Sequence, residues 1–244
     1  MNDSRIPIYL ITGFLDSGKT TLLTDTLNMD YFNDGQRTVL LMCEDGEVEY
    51  NAQYLAERNC RLIPIEDQSQ LNTAFLEEID RRYQPERVLL EYNGMWPIQL
   101  LRDLKLPKNW GLYQAIDVID GTTFEMYRSN MQSMIIDMVT EADMVLFNLC
   151  KEDMPLSGWK RSIRAVNRMC QMAFEDENGD ELEVEDIKHQ GTRLKGVAEG
   201  DIGKRSVEIV GETHDLNYKK VMRYLRLNSL VPELLEKVDG VLDE

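Results

Sequence analysis

Histidine is nearly absent from this 244-residue chain, with only His189 and His214, and cysteine occurs four times, at positions 43, 60, 150 and 170. No two cysteines stand at a paired spacing, which argues against a disulfide framework and a Cys/His zinc module, and reads as reduced thiols in a cytoplasmic protein. Long apolar runs are also missing: none approaches the roughly 18 residues that span a bilayer. The N-terminus shows no basic region followed by an apolar one, so no signal peptide is expected. Lysine and arginine (27) are outnumbered by aspartate and glutamate (44), for a net charge of −17. That balance argues against a nucleic-acid or peripheral membrane partner. Internal repeats and low-complexity segments are lacking too.

Against this background one segment stands out, GFLDSGKTT from Gly13 to Thr21. Gly13, Gly18, Lys19 and Thr20 fit the P-loop pattern G-x-x-x-x-G-K-[ST], with an apolar strand-like run, Ile8 to Ile11, in front. A helix carrying Leu22, Leu23 and Leu27 follows. In this setting backbone N–H groups, including those of Asp16, Ser17, Gly18 and Thr21, converge on one spot that the helix dipole also favours for an anion. Lys19 would reach the β- and γ-phosphates and the Thr20 hydroxyl would ligate Mg²⁺. A plain glycine turn explains less, because a lysine in the first turn of a helix opposes the dipole unless an anion sits there.

Further apolar runs follow at Thr38–Met42, Arg61–Ile65, Val88–Leu90, Tyr113–Ile119 and Met144–Phe147. Pro64 marks the second of these as an edge strand. Ser69 to Tyr83 reads as a helix capped by Ser69, with Leu71, Phe75, Leu76 and Ile79 on one face. Met131, Met134, Ile135 and Met138 recur at helical spacing and read as core. The alternation predicts an α/β fold with a mostly parallel sheet and helices on both faces, in which ligands bind beyond the carboxyl ends of the strands. Gly13, Glu44, Glu91, Asp120 and Asn148 all fall at such ends. The predicted nucleotide-binding domain covers residues 1–172, and a small α+β appendage covers 173–244. In the appendage, Glu175 to Asp186 holds eight acids around Asn178-Gly179 and reads as a solvated hairpin rather than a Ca²⁺ loop. Residues 205–210 read as a strand, and 217–227 and 231–238 as helices.

Glu91 closes a buried strand and is the natural Walker B acid, able to hold the Mg²⁺ shell or orient a water. Gly94 lets the chain turn sharply beside a γ-phosphate. The loop Cys43-Glu44-Asp45-Gly46-Glu47 gathers three acids. Glu44 could complete the Mg²⁺ environment and Asp45 could position water, or the loop could be a solvated acidic turn.

Together these stretches resemble the CobW-like family of P-loop GTPases, relatives of UreG and HypB. GFLDSGKTTLL is similar to that family's GFLGAGKTTLL, Cys43 to Glu47 to its N-[DE]-x-G-E, and Glu91 to Pro97 to its E-[ST]-x-G-x-x-[DP]-P segment. Ala115 to Asp120 resembles the strand ending in V-D-A, and Glu141 to Asn148 the stretch leading to N-K-x-D. The resemblance spans residues 7 to 172. It implies a P-loop nucleoside-triphosphatase using Mg²⁺ and GTP or ATP, acting as a metal chaperone on a client metalloprotein, often as a homodimer, with an appended C-terminal domain. Two departures stand beside it. The family's C-x-C-C falls at Cys60-Arg61-Leu62-Ile63, where one cysteine remains, and a lone thiolate cannot build a tetrahedral zinc site. Its N-K-x-D becomes Asn148-Leu149-Cys150-Lys151. Lys151 cannot accept the guanine N–H hydrogen bonds that the aspartate takes, although Asp153 lies two residues on.

Three functions remain open at this level. One is a nucleotide hydrolase built on Lys19, Thr20 and Glu91. Another is a nucleotide-binding switch or partner-binding module with weak hydrolysis and no metal site. The third is a P-loop kinase, for which no arginine-rich lid is evident.

Overall fold

The structure, a computed structural model, describes residues 5–44 and 50–184. Along them strands and helices alternate: β1 (Ile6–Thr12), α1 (Lys19–Asn28), β2 (Thr38–Met42), α2 (Ala52–Glu57), β3 (Cys60–Pro64), α3 (Thr73–Tyr83), β4 (Arg87–Glu91), α4 (Gln99–Asp103), β5 (Trp110–Asp120), α5 (Phe124–Asn130), α6 (Gln132–Glu141), β6 (Met144–Asn148), α7 (Leu156–Val166) and β7 (Gln171–Phe174). The strands form one sheet in the order β3-β2-β4-β1-β5-β6-β7, and every neighbouring pair is parallel. Parallel strands need crossovers, and the helices supply them.

Alternation along the strands separates two faces. Tyr9, Ile11, Leu40 and Leu89 bury against Leu22, Leu23 and Leu27 of α1 and Leu55 of α2. Ile8, Leu10, Val39, Leu41, Val88 and Leu90 bury against Leu76 and Ile79 of α3 on the opposite face. Val145 and Phe147 continue that second face under Phe124, Ile135, Met138, Trp159 and Ile163. Helices therefore cover both sides, and near-continuous apolar strands are what such a sheet requires.

Three details differ from the pattern read in the sequence. The helix expected from Ser69 is split: Asp67 accepts from the Ser69 N–H at 2.8 Å and caps a 3₁₀ turn at Gln68–Gln70, and Asn72 then caps α3 by accepting from the Phe75 N–H at 3.1 Å. Two short acceptors compete with the helical ladder and win at its start. β5 begins earlier than its apolar run, at Trp110, and Tyr113 is an extra residue in its pairing with β1. Finally, β7 crosses the 172/173 boundary and pairs with β6, so the sheet continues into the region assigned to an appendage. Beyond β7 the chain does form the tight turn expected at Asn178-Gly179, closed by an antiparallel bridge between Glu175 and Glu181. The strand at 205–210 and the helices at 217–227 and 231–238 lie outside the described residues.

Candidate functional site

The order of the strands changes direction at β1, with β4 on one side and β5 on the other, and such a switch point opens a crevice at the carboxyl ends. The P-loop fills it. Gly18, with φ of 97°, takes the left-handed conformation that brings the chain into α1. Asn148 at the end of β6 braces the loop, its Nδ2 donating to Ser17 O at 2.7 Å. Its Oδ1 has no hydrogen-bond partner among the described residues. Gly94 packs so tightly on the loop that a Cβ there would lie 2.1 Å from Gly13 O.

Lys19 is buried, with its Nζ donating to Gly13 O at 2.9 Å and Phe14 O at 2.7 Å. Its third contact is an ion pair with Glu44 Oε2 at 2.5 Å. The Thr20 hydroxyl donates to Glu91 Oε1 at 2.7 Å, and the Tyr50 hydroxyl donates to Glu91 Oε2 at 2.6 Å. Burial pushes the Glu91 carboxyl above its ordinary range, and the two hydroxyls and Lys19 oppose that rise. Lys19, Thr20, Glu44 and Glu91 edge a cleft of about 370 Å³, bounded also by Asp16, Gly18, Thr21 and Asn148, and on its far side by the turn Glu175 to Gly179.

Beneath the loop lies a second buried group. Asp117 on β5 is fully buried, accepts from the Thr12 hydroxyl at 3.0 Å, and has no partner for Oδ2 among the described residues. Burial pushes its carboxyl up to about 7 against the Thr12 hydrogen bond and the Lys19 charge. Ser17, whose buried Oγ has no partner among the described residues, lines the same small hollow with Gly13 and Asp120.

The model of the CobW/HypB/UreG nucleotide-binding domain matches residues 7–173. The chain belongs to this family. Among solved structures, the Zn(II)-bound YjiA GTPase of E. coli superposes with a TM-score of 0.54 at 21% identity, covering 75% of this chain and 60% of that one. The hydrogenase maturation factor HypB of Archaeoglobus fulgidus superposes with a TM-score of 0.51 at 12% identity, covering 73% and 85%. At these identities the superpositions establish the shared P-loop NTPase fold. No curated protein sequence matches the chain.

Within this CobW-type frame, Asp16, Gly18, Lys19, Thr20, Thr21, Glu44, Glu91 and Asn148 edge one cleft. Gly13 and Ser17 line the hollow under the loop, and Gly94, in the turn after β4, packs against the loop. Asp120 does not join the cleft: its Oδ1 accepts from the Thr122 N–H and hydroxyl, closing the turn before α5. Asp45 lies outside the described residues, as do His189 and His214. Lys151 lines a neighbouring hollow with Thr122, Glu152 and Leu182, and Asp153 is exposed and borders neither space. Cys60 is buried at the start of β3, where burial pushes its thiol up to about 12. Among the described residues no group of three or more His, Cys, Asp or Glu could hold a metal ion.

Three features around the loop carry no motif in the sequence. Tyr50 gives no motif signal. Asp117 was visible only as a single acid inside an apolar strand. The Glu175 to Gly179 turn was read as part of an appendage because Gln171–Phe174 is too short to announce a strand.

Proposed function

We propose that the chain binds a nucleoside triphosphate, GTP or ATP, with Mg²⁺ and hydrolyses it. The observation that carries this reading is the contact between the Thr20 hydroxyl and the Glu91 carboxylate at 2.7 Å, beside a buried lysine on a P-loop. Thr20, Glu91 and Glu44 offer hydroxyl and carboxylate oxygens, the hard donors that suit Mg²⁺. The ion would supply charge neutralisation on the phosphate oxygens. Loop N–H groups and Lys19 would bind and orient the phosphates, and Glu91, fixed by Tyr50, would orient the attacking water. Asn148 would hold the loop in shape through Ser17. Catalysis would rest on positioning and charge stabilisation rather than on a covalent intermediate.

The role that family membership suggests, handling of a metal cofactor with a client metalloprotein as partner and a homodimer as the working form, extends this proposal. All four thiols are buried, so the cargo would be held by groups other than an exposed Cys60.

Titration calorimetry with GTP and with ATP, each with Mg²⁺, tests the central reading on the unaltered chain and on Lys19→Ala. Saturable binding that weakens about 100-fold in Lys19→Ala supports it, as expected for loss of a charge-assisted phosphate contact. Absence of binding by either nucleotide overturns it. Equal affinity for the two would show that Lys151 marks a loss of guanine selection.

A further inference from the structure

Lys19 has three ammonium hydrogens and three acceptors: Gly13 O, Phe14 O and Glu44 Oε2. Two are carbonyls of the loop itself. The third is a carboxylate from the chain just beyond β2, placed 2.5 Å from Nζ, with side chains only 2% and 8% exposed for Lys19 and Glu44. Solvent screens so dry a pair weakly. A phosphate arriving at the loop thus meets a lysine with no hydrogen to offer.

The charge around the pair adds a second obstacle. Glu91 stands close enough for the Glu44 charge to help push its carboxyl upward. The phosphate end of the cleft therefore holds two carboxylates and one ammonium, all well buried. A free triphosphate, carrying several negative charges, is repelled by both acids and gains nothing from Lys19. A divalent cation arriving with the phosphates reverses each effect, since the Thr20 hydroxyl and the carboxylates are oxygen donors of the kind it binds.

We propose that Glu44 is a specificity-determining residue that makes the P-loop accept triphosphate as its magnesium complex and reject the free anion. The carboxylate occupies Lys19 until a cation draws it away, and the freed ammonium hydrogen then goes to phosphate. This inference rests on the nucleotide-binding reading above and explains which form of the nucleotide the site selects.

GTP and inorganic triphosphate, titrated by calorimetry in EDTA and in Mg²⁺, provide the test with the unaltered chain, Glu44→Gln and Glu44→Asp. Glutamine keeps the shape and removes the charge, so binding without Mg²⁺ should tighten about tenfold or more, a gain of at least about 1.4 kcal/mol. The enhancement by Mg²⁺ should shrink correspondingly. Aspartate, whose carboxylate is withdrawn by one methylene, should fall between the two. Glu44→Gln binding free triphosphate no better than the unaltered chain overturns the inference, provided the unaltered chain binds Mg-GTP. Triphosphate binding by Glu44→Gln alone supports it. Binding by no variant under any condition removes the nucleotide reading and this inference with it.

Discussion

Replacing Gly94 by alanine forces a methyl group into space that the P-loop backbone already fills. An ideal Cβ at Gly94 lies 2.1 Å from Gly13 O, 2.6 Å from Gly13 C and 3.0 Å from Phe14 Cα. These neighbours are backbone atoms, so no side chain can rotate away, and relief requires the loop to retreat by about 1.4 Å to reach ordinary contact distance. Retreat is opposed, because Gly13 is itself pressed on β5, where its own Cβ would come 2.2 Å from Val118 O. Overpacking of this sort costs about 1–3 kcal/mol. At about 2–4 °C per kcal/mol for a domain of this size, Tm should fall by about 2–12 °C. Gly13 O is also an acceptor for Lys19, so the displacement should reach the phosphate site and weaken Mg-GTP binding about 100-fold, the scale attached to a misplacement of about 1 Å. Gly111→Ala is the control, since the nearest atoms its Cβ would meet belong to the flexible Arg5 side chain, at an ordinary 3.5 Å. Thermal melts and calorimetry on the two variants decide the matter. A Gly94→Ala protein with the melting temperature and affinity of the control would refute the claimed contact.

Two other substitutions probe the groups around the loop. Tyr50→Phe removes the hydrogen bond to Glu91 Oε2 and leaves that of Thr20, so single-turnover hydrolysis should slow about tenfold while nucleotide affinity changes about twofold or less; equal losses in both would assign Tyr50 a merely structural role. Asp117→Asn addresses pH. With its carboxyl raised from 3.8 to about 7, the native protein binds this proton more tightly than the unfolded chain does. Its contribution to stability is therefore full below pH about 4 and lost as pH rises to about 7, by up to about 4 kcal/mol. Denaturant titrations across that window should slope downward for the unaltered chain and less steeply for Asp117→Asn; parallel curves would show that Asp117 ionises without cost.

Much of the site was legible because its parts are local. The P-loop pattern needs eight consecutive residues, Gly13 to Thr20, and Glu91 and Asn148 announce themselves as polar residues closing apolar strands. Tyr50 could not be read this way, since its hydroxyl meets Glu91 across 41 positions through the packing of the chain before α2 onto β4. The Lys19–Glu44 pair was equally hidden: Glu44 was legible as a candidate Mg²⁺ ligand, but not as the partner that holds the lysine. The helix start at Asn72 was missed because Ser69, Asp67 and Asn72 are all capping residues, and only the fold of the intervening turn chooses among them.

The sequence alone determined that a phosphate-binding loop would follow the first strand of a parallel sheet, because periodicity, glycine placement and the lysine-threonine pair are properties of adjacent residues. It also located the two departures, at Cys60 to Ile63 and at Lys151. Tertiary structure alone decided what those residues face. Parallel pairing of β7 with β6 brings the acidic turn after Phe174 onto the cleft, although it had been read as part of an appendage. Close approach of the ends of β1, β2 and β4 pairs Lys19 with Glu44 and Thr20 with Glu91. Such contacts depend on strand order, and strand order is set by how whole helices and strands share a core rather than by any short stretch of chain.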